Sequence, residues 1–318
     1  MAERTKGGRR PDYAALQTER ANPRSRRLDL LPTPALVRLI TSEDRRAAAA
    51  VARVTPALAR AVGLVVESLR AGGRLVYVGA GTSGRLGVLD AAECPPTFGV
   101  ARSRVVAVIA GGATALRRAV EGAEDREEAA RAALVRLAVG PRDVVCAIAA
   151  SGVTPFALAG LLEARRRGAR TVAVTCAPSP RLAALADVVV APRVGPEVLT
   201  GSTRMKAGLA TKMVLHTLTT AAMVRLGKVH GNLMVDVRPT NAKLRARATR
   251  IVAALTGLGE GEAAALLRRA AQRPKLAVLM HHRGLSAAAA RQRLRAAGDS
   301  LRQALDGGAR PRRGGSNG

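Results

Sequence analysis

The chain has 318 residues and a formal net charge of +29, from 52 Lys and Arg against 23 Asp and Glu. Hydrophobic residues make up 48% of it, which is enough for a buried core and too many for a disordered chain. Aromatic residues are only 1%, whereas proteins that bind single-stranded nucleic acid stack bases on aromatic side chains. We therefore assign the positive charge to solvated faces and expect no nucleic-acid partner, although the field would attract an anionic substrate.

The cysteines and the N-terminal residues indicate the cellular compartment in which the protein is expected. Cys94, Cys146 and Cys176 show no paired spacing, which fits a reducing compartment and argues against a structural zinc site. Residues 1–10 are charged and no apolar stretch follows them, so no secretory signal is expected. No apolar run approaches the length that crosses a bilayer. The expected location is the cytoplasm, without a membrane partner.

The first 70 residues are predicted to form a tail followed by two helices. Residues 1–16 are basic and expected to be disordered. Helical periodicity over residues 34–40 and 44–70 predicts the helices, with Thr41 or Ser42 capping the second one. The glycine pair that follows would end that second helix.

Five short apolar runs then alternate with segments of helical length. Such continuous, β-branched runs are typical of buried parallel strands joined by crossover helices. The sequence therefore predicts an α/β fold around a five-stranded parallel sheet, with ligands at the carboxyl ends of the strands. The predicted strands are residues 75–78, 105–110, 144–149, 171–176 and 188–190.

The last third of the chain is predicted to be helical. One long helix should cover residues 201–226, and a linker over 228–240 should separate it from a small C-terminal helical domain over 241–306. Residues 307–318 are rich in Arg and Gly and expected to be disordered. The helices predicted within the C-terminal domain are 242–258, 261–271, 274–282 and 286–305.

A glycine-rich loop follows the first predicted strand. Gly79, Gly81 and Gly84 lie between that strand and a helix, and Thr82 and Ser83 add hydroxyl groups. Backbone N–H groups at such a helix N-terminus hold an anion. A dinucleotide site would also need an acid at the end of the second strand, and a P-loop would need a Lys-Ser/Thr pair. Neither is present, so no nucleotide cofactor is expected.

A second loop of the same chemistry follows the third predicted strand. Ser151, Gly152 and Thr154 precede Pro155, a residue favoured in the first turn of a helix. Two such loops after strands of one sheet predict a phosphosugar or polyol that is held from both sides.

The segment before the long helix is the third candidate. Ser202 or Thr203 is predicted to cap that helix. Arg204 and Lys206 would lie in its first turn, where cations oppose the helix dipole unless an anion is near. The predicted substrate-binding residues of the three segments are Gly81, Thr82, Ser83, Ser151, Gly152, Thr154, Ser202, Thr203 and Lys206.

Two glutamates are candidates for acid–base chemistry. Glu93 should end the helix after the first loop, beside a pair of prolines, and Glu124 follows the turn after the second strand. A glutamate at a helix end is most often a solvated surface residue, so position alone leaves both roles open. His216 is expected to be packed, the role of His230 is open, and residues 281–282 are expected at the surface.

Four segments resemble the signature of N-acetylmuramic acid 6-phosphate etherases: residues 79–99, 121–125, 195–204 and 226–237. The resemblance extends from about Thr18 to the end of the last predicted helix. It implies an SIS-type three-layer sandwich that binds phosphosugars over residues 17–240, together with N-terminal helices. The glucokinase regulatory protein of vertebrates is similar in fold and loops, but binds phosphosugars without converting them.

The resemblance also implies an activity. Family members cleave the D-lactyl ether of N-acetylmuramate 6-phosphate by elimination and then hydration, giving N-acetylglucosamine 6-phosphate and D-lactate in peptidoglycan recycling. By resemblance Glu93 is the proton donor and Glu124 the second catalytic acid, with no metal or organic cofactor. The family tends to have Tyr where this chain has His230. A non-catalytic phosphosugar regulator and an aldose–ketose isomerase of the same fold remain alternatives.

The spacing of the first loop and Glu93 poses a geometric problem. Glu93 lies ten residues beyond Ser83, which is about 15 Å along an ideal helix. One sugar phosphate would not span that distance easily. Either the helix breaks early or a second subunit supplies one carboxylate, and the family resemblance implies a homodimer with its active site near the subunit interface.

Overall fold

The computed structural model describes residues 16–307, which form two compact units. The first unit comprises residues 16–90 and 106–218, and the second comprises residues 91–105 and 219–307. The tails predicted at the two ends of the chain lie outside the described residues, except for residues 16 and 307. The predicted domain boundary at residue 240 stays a prediction.

One five-stranded sheet, in the order β2-β1-β3-β4-β5, organises the first unit. The pairings of β1 with β3, β3 with β4, and β4 with β5 are parallel. All five predicted strands are confirmed, with ends displaced by no more than two residues. The strands are β1 (Leu75–Gly79), β2 (Val105–Ile109), β3 (Val144–Ile148), β4 (Arg170–Val174) and β5 (Val188–Val190).

Seven α-helices accompany the strands between residues 16 and 225 of the described chain: α1 (Thr33–Ala52), α2 (Thr55–Arg70), α3 (Gly81–Phe98), α4 (Glu127–Arg136), α5 (Pro155–Arg166), α6 (Pro180–Leu185) and α7 (Lys206–Arg225). Successive side chains of a strand point to opposite faces of the sheet. Val78 of β1 packs with Leu134 of α4 and Phe156 of α5. Its neighbour Tyr77 faces the other way and donates a hydrogen bond to Asp90 of α3 at 2.8 Å. Helices therefore cover both faces, which gives three layers.

The break between α1 and α2 was predicted in the wrong place. Thr41 and Ser42 are interior residues of α1, and their hydroxyls donate to the carbonyls of Val37 and Leu39 instead of capping a helix. The chain breaks between residues 52 and 55 instead. Proline is tolerated in the first turn of a helix but not in its interior, and Pro56 accordingly lies in the first turn of α2.

The helix that follows the glycine-rich loop is longer than predicted. It was expected to end at the proline pair, but α3 continues through Pro95 and Pro96 to Phe98. Gly99, with φ of +67°, ends it and donates its N–H to the Pro95 carbonyl. A left-handed glycine is a common helix terminator, so here the glycine and not the prolines sets the end.

The second unit contains five helices among its described residues after 219: α8 (Ala242–Thr256), α9 (Glu260–Arg269), α10 (Pro274–Arg283), α11 (Ala287–Ala296) and α12 (Leu301–Asp306). The single helix predicted over 286–305 is therefore wrong. Gly298 and Asp299 adopt left-handed φ values of +60° and +63°, which separate α11 from α12. Beneath this turn, the fully buried Lys275 ammonium is paired with Asp236 and lies 3.3 Å from the Asp299 carboxylate.

The three cysteines are buried and form no disulfide within the described residues. Burial, and next the charge of Glu197, raises the pKa of Cys176 to about 12, so this thiol stays protonated and unreactive. His216, expected to be packed, is exposed, with its Nδ1 2.7 Å from the Lys212 carbonyl. The expected surface position of residues 281–282 is confirmed.

Among the described helices, none has by itself the length and apolar composition of a membrane span. Helices α1 and α2 meet those two criteria only when they are joined across a bend of 62°.

Candidate active site

A pocket of about 290 Å³ opens at the carboxyl ends of β1 and β3 in the first unit. We call it the strand-end pocket. It forms where the sequence predicted a ligand, because the loops after parallel strands meet at one edge of the sheet. Its lining residues are Leu16, Glu19, Ala80, Gly81, Thr82, Ser83, Glu124, Asp125, Ala150, Ser151, Val153, Thr154, Pro155, Gly201 and Thr203.

Two helices begin at this pocket. Helix α3 begins at Gly81, with Thr82 and Ser83 in its first turn. Helix α5 begins at Pro155, and the side chain of its N-cap residue, Thr154, makes no capping hydrogen bond. The N-terminus of a helix carries unpaired N–H groups and a partial positive charge. Two such ends beside hydroxyl groups form an environment suited to an anion.

The loop after β3 depends on a glycine. Gly152 has φ of +74°, and a Cβ atom there would lie 2.1 Å from the Ala177 carbonyl oxygen. The Ser179 hydroxyl donates to the Gly152 carbonyl at 2.7 Å and so fixes the loop. Gly152 therefore shapes the wall, whereas its neighbour Ser151 lines the pocket.

The charge of the strand-end pocket is opposite to that of the chain. Three exposed acids, Glu19, Glu124 and Asp125, line it. The described lining residues include no Lys and no Arg, although the chain carries 52 of them. An anion bound here would be held by hydroxyl and N–H groups, and the carboxylates would be available to accept or transfer protons.

The structure brings together most of the predicted site residues. Gly81, Thr82, Ser83, Ser151, Thr154, Thr203 and Glu124 line the strand-end pocket. Gly152, Ser202 and Lys206 do not. Glu93 is an exposed residue of α3 in the second unit, and the lining of this pocket does not include it.

Lys206 lies in a buried ion pair. Its ammonium contacts Glu43 of α1, and the two side chains are 2% and 1% exposed. Asn22 donates to the same carboxylate oxygen at 3.0 Å, and Arg24 lies 3.1 Å from the other oxygen. Burial opposes ionisation of Glu43, but Lys206, Asn22 and Arg46 together hold its pKa below the ordinary value.

The cap of α7 is also different from the one predicted. The helix begins at Lys206, and the carboxylate of Glu197 accepts hydrogen bonds from the backbone N–H groups of Lys206 and Ala207 at 3.2 and 2.8 Å. The prediction that Ser202 or Thr203 caps it is therefore wrong. Burial raises the pKa of Glu197 above its ordinary value despite these two bonds.

His230 lies in the second unit and is half-buried. Its Nδ1 atom is buried and has no hydrogen-bond partner among the described residues. Burial, and next the charge of Arg302, lowers the pKa of this imidazole below its ordinary value. Within residues 16–307, no group of three or more His, Cys, Asp or Glu side chains is arranged to hold a metal ion.

Sequence analysis missed four acids of the first unit. Glu19 and Asp125 line the pocket, while Glu43 and Glu197 are each 1% exposed and bind the start of α7. Asp125 directly follows a predicted residue and could have been included. Glu43 gives no local signal, because its partner Lys206 lies 163 residues away in the sequence. Glu197 binds N–H groups nine and ten residues further along the chain, beyond the usual spacing of an N-cap. Glu19 lies at the pocket because Asn22 and Ser25 of its segment bind residues 196 and 198.

Two family matches define the class of the protein. The sequence matches the SIS domain over residues 121–221 and the N-terminal SIS domain of glucokinase regulatory protein over residues 57–166. Together with the five-stranded parallel sheet, these matches make it an SIS-domain protein, as the sequence predicted.

The relatives are more specific. Over 295 residues the chain is 52% identical to proteins named N-acetylmuramic acid 6-phosphate etherase from Salmonella dublin and Salmonella typhimurium, covering 93% of this chain and 99% of each relative. The chain therefore belongs to the family of N-acetylmuramic acid 6-phosphate etherases, which confirms the predicted resemblance.

Two solved structures are also similar to this chain. The phosphoheptose isomerase of Neisseria gonorrhoeae is 18% identical, with a TM-score of 0.48 over 60% of this chain and 99% of that one. The phosphoheptose isomerase of Francisella tularensis is 16% identical, with a TM-score of 0.47 over 61% and 100%.

The buried pair of Glu43 and Lys206 predicts a stability effect. Glu43→Gln should cost about 3–5 kcal/mol of unfolding free energy, because it leaves the Lys206 charge buried and unpaired. Because the folded-state pKa of Glu43 is lowered, its contribution is complete above the ordinary pKa, about 4.3. It is lost as the pH falls through the folded-state value.

Denaturant unfolding of the wild-type protein and of Glu43→Gln between pH 3 and pH 7 measures the difference in their unfolding free energies. The double variant Glu43→Leu with Lys206→Met is the control and should recover most of the loss, since it removes both charges. A cost below about 1 kcal/mol at pH 7, typical of a surface pair, would show that the pair is not buried as described.

Proposed function

We propose that this protein cleaves the D-lactyl ether of N-acetylmuramate 6-phosphate, giving N-acetylglucosamine 6-phosphate and D-lactate in the recycling of peptidoglycan sugars. The observation that carries the proposal is the 52% identity, over 93% of the chain, to proteins named for this etherase. The strand-end pocket supports it, because it combines groups suited to a phosphate with carboxylates suited to proton transfer.

In this proposal the phosphate binds at the N-termini of α3 and α5. Thr82, Ser83, Ser151 and Thr154 donate hydroxyl hydrogen bonds to it, and the free N–H groups of the first helical turns add to these. Thr203 would contact the same ligand from the segment before α7. Because such a site needs no cation, the Arg-rich surface of the chain plays no part in it.

The chemistry needs one base and one acid. In the open-chain sugar the proton on C2, next to the aldehyde, is acidic, and a carboxylate removes it. Lactate leaves from C3 as a carboxylic acid protonates its ether oxygen. Water then adds across the C2–C3 double bond with the two groups in reversed roles. Glu124 lies at the pocket, and we propose Glu93 as the second group, on the basis of the family resemblance. No metal or organic cofactor takes part.

The position of Glu93 favours a site that two subunits complete. Helix α3 does not break between Ser83 and Glu93, so the early break considered from the sequence is excluded. We therefore propose a homodimer in which a second copy of the chain supplies one of the two catalytic carboxylates. Cysteines that form no disulfide within the described residues fit the cytoplasm as the location of this dimer.

An exposed apolar surface in the first unit supports the dimer. Ile40, Leu86, Met205 and Leu209 line a groove of about 370 Å³ that also includes Thr82, a residue of the strand-end pocket, and three charged residues at its sides, Asp44, Arg204 and Lys212. On the same helices Val37 and Leu89 are 53% and 43% exposed. Exposed apolar patches of this kind mark interaction surfaces, and this one adjoins the proposed active site. We call it the α1–α3–α7 groove.

A second candidate function is phosphosugar binding without turnover. The match to the N-terminal SIS domain of glucokinase regulatory protein over residues 57–166 favours it. Binding of N-acetylmuramate 6-phosphate to the wild-type protein without release of lactate would support this candidate against the etherase.

The two catalytic glutamates give the first test. Glu93→Gln and Glu124→Gln should each lower the rate of lactate release from N-acetylmuramate 6-phosphate by about 10²–10⁴-fold, the usual contribution of a general acid or base. The affinity for N-acetylglucosamine 6-phosphate should stay within about threefold, since a proton-transfer group adds little to ground-state binding. A coupled lactate assay and calorimetry measure the two quantities.

Glu121→Gln is the matched control. Glu121 is exposed, lies three residues before Glu124 and does not line the strand-end pocket, so its variant should keep full activity. Full activity in both catalytic variants would remove these glutamates from the mechanism.

The subunit interface gives the second test. Leu209 is 40% exposed in the α1–α3–α7 groove, so Leu209→Asp should fold but bury a charge on assembly. Sedimentation should change from twice the 32.9 kDa chain mass to the single chain, and lactate release should fall in parallel. Val135→Asp, at a 50% exposed position of α4 outside the groove, is the control that should stay dimeric. A fully active Leu209→Asp monomer would contradict a shared active site.

A further inference from the structure

The third carboxylate of the strand-end pocket comes from a part of the chain that the catalytic proposal does not use. Glu19 is the last residue of a short 3-10 helix, Gln17–Glu19, near the start of the described chain. Its side chain is exposed and lines the pocket together with the loops after β1 and β3.

Both oxygens of the Glu19 carboxylate have defined neighbours. Its Oε1 accepts a hydrogen bond from the hydroxyl of Thr18 at 3.1 Å. Its Oε2 lies 3.0 Å from the point that a Cβ atom at Gly201 would occupy, and Gly201 has φ of +77°. The left-handed backbone at residue 201 favours a glycine there, and the missing side chain leaves room for the carboxylate beside it.

Buried hydrogen bonds fix the segment that carries Glu19. The Asn22 side chain is 5% exposed and donates both to Glu43 at 3.0 Å and to the Pro196 carbonyl at 3.1 Å. The hydroxyl of Ser25 donates to the Val198 carbonyl at 2.7 Å. Glu19 is thus held against the same segment, residues 196–201, that leads into α7, and not on a loose end.

The chemistry of the pocket limits what Glu19 can bind. An ionised carboxylate only accepts hydrogen bonds, and the phosphate and lactyl carboxylate of the proposed substrate are anions that it would repel. Among the three acids of the pocket, Glu124 and Asp125 are adjacent in the chain, whereas Glu19 lines the pocket from a separate segment. The donors that remain on the proposed substrate are its neutral hydroxyl groups and its acetamido N–H.

We propose that Glu19 accepts a hydrogen bond from a neutral donor of the bound sugar, a hydroxyl group or the acetamido N–H, and so sets the affinity of the site for sugar phosphates over simple anions. The inference rests on the proposed function, because it takes the strand-end pocket as the sugar-phosphate site. Glu19 is a binding group in this account and takes no part in proton transfer.

The test uses Glu19→Ala and Glu19→Gln in the full chain. Loss of a hydrogen bond to a charged group weakens binding about 10–100-fold. Glu19→Ala should therefore raise the KM for N-acetylmuramate 6-phosphate and the Kd for N-acetylglucosamine 6-phosphate by that factor, with kcat within about threefold. Glu19→Gln keeps an acceptor oxygen and should recover most of the affinity. The Kd for inorganic phosphate should not rise in either variant, because both remove a negative charge that repels this anion.

Two controls separate a contact from a structural effect. Arg20→Ala changes the next residue, which is exposed and does not line the pocket, and should leave all constants unchanged. Among analogues of N-acetylglucosamine 6-phosphate that each lack one hydroxyl group or the acetamido group, one should bind the wild type and Glu19→Ala equally, because its missing group is the partner.

Three results would overturn the inference: an unchanged Kd for N-acetylglucosamine 6-phosphate, an equal loss of affinity for inorganic phosphate, or a fall of kcat at constant KM. Failure of the proposed function is a separate outcome. A wild-type protein that releases no lactate would disprove the etherase, whereas the Kd values for the sugar phosphate and for phosphate would still decide the role of Glu19.

Discussion

The meeting of two helix N-termini at the ends of β1 and β3 is the constraint on which the rest of the site depends. These strands are neighbours and run parallel, so the helices that follow them both begin at one edge of the sheet. Their partial positive charges and free N–H groups then converge on one pocket. This arrangement explains how a site with three acids and, among its described lining residues, no Lys or Arg can still accept an anion.

Two buried acids of this basic chain hold defined positions in the first unit. Glu43 neutralises the buried Lys206, and Glu197 caps α7. Both sit where a missing carboxylate would leave a buried charge or unpaired N–H groups, which is costly. The basic residues are different, because most of those that the structure describes are exposed. The net charge of +29 thus arises mainly from surface residues, whereas a small set of carboxylates carries the proposed chemistry.

The fold and the pocket walls were predictable because their signals are local. Each strand is a continuous apolar run, and each pocket loop places Gly, Ser or Thr directly after a strand, so Ser83 and Ser151 could be found from the sequence alone. The errors arose where distant residues decide. Lys206 was predicted to bind a ligand because the sequence gives no sign of its anionic partner, Glu43, which lies 163 residues away. The capping role predicted for Ser202 belongs to Glu197. Glu19 was missed because only the bonds of Asn22 and Ser25 to residues 196–198 bring it to the pocket.

The central claim is that hydroxyl groups and helix N-termini, without a cation, bind the phosphate of a sugar beside Glu124. A crystal structure of the Glu124→Gln protein with N-acetylmuramate 6-phosphate tests it most directly. The account predicts phosphate oxygens about 3 Å from the hydroxyls of Ser83 and Ser151, with the ether linkage next to residue 124. A phosphate bound instead by surface arginines, with the strand-end pocket empty, would contradict it.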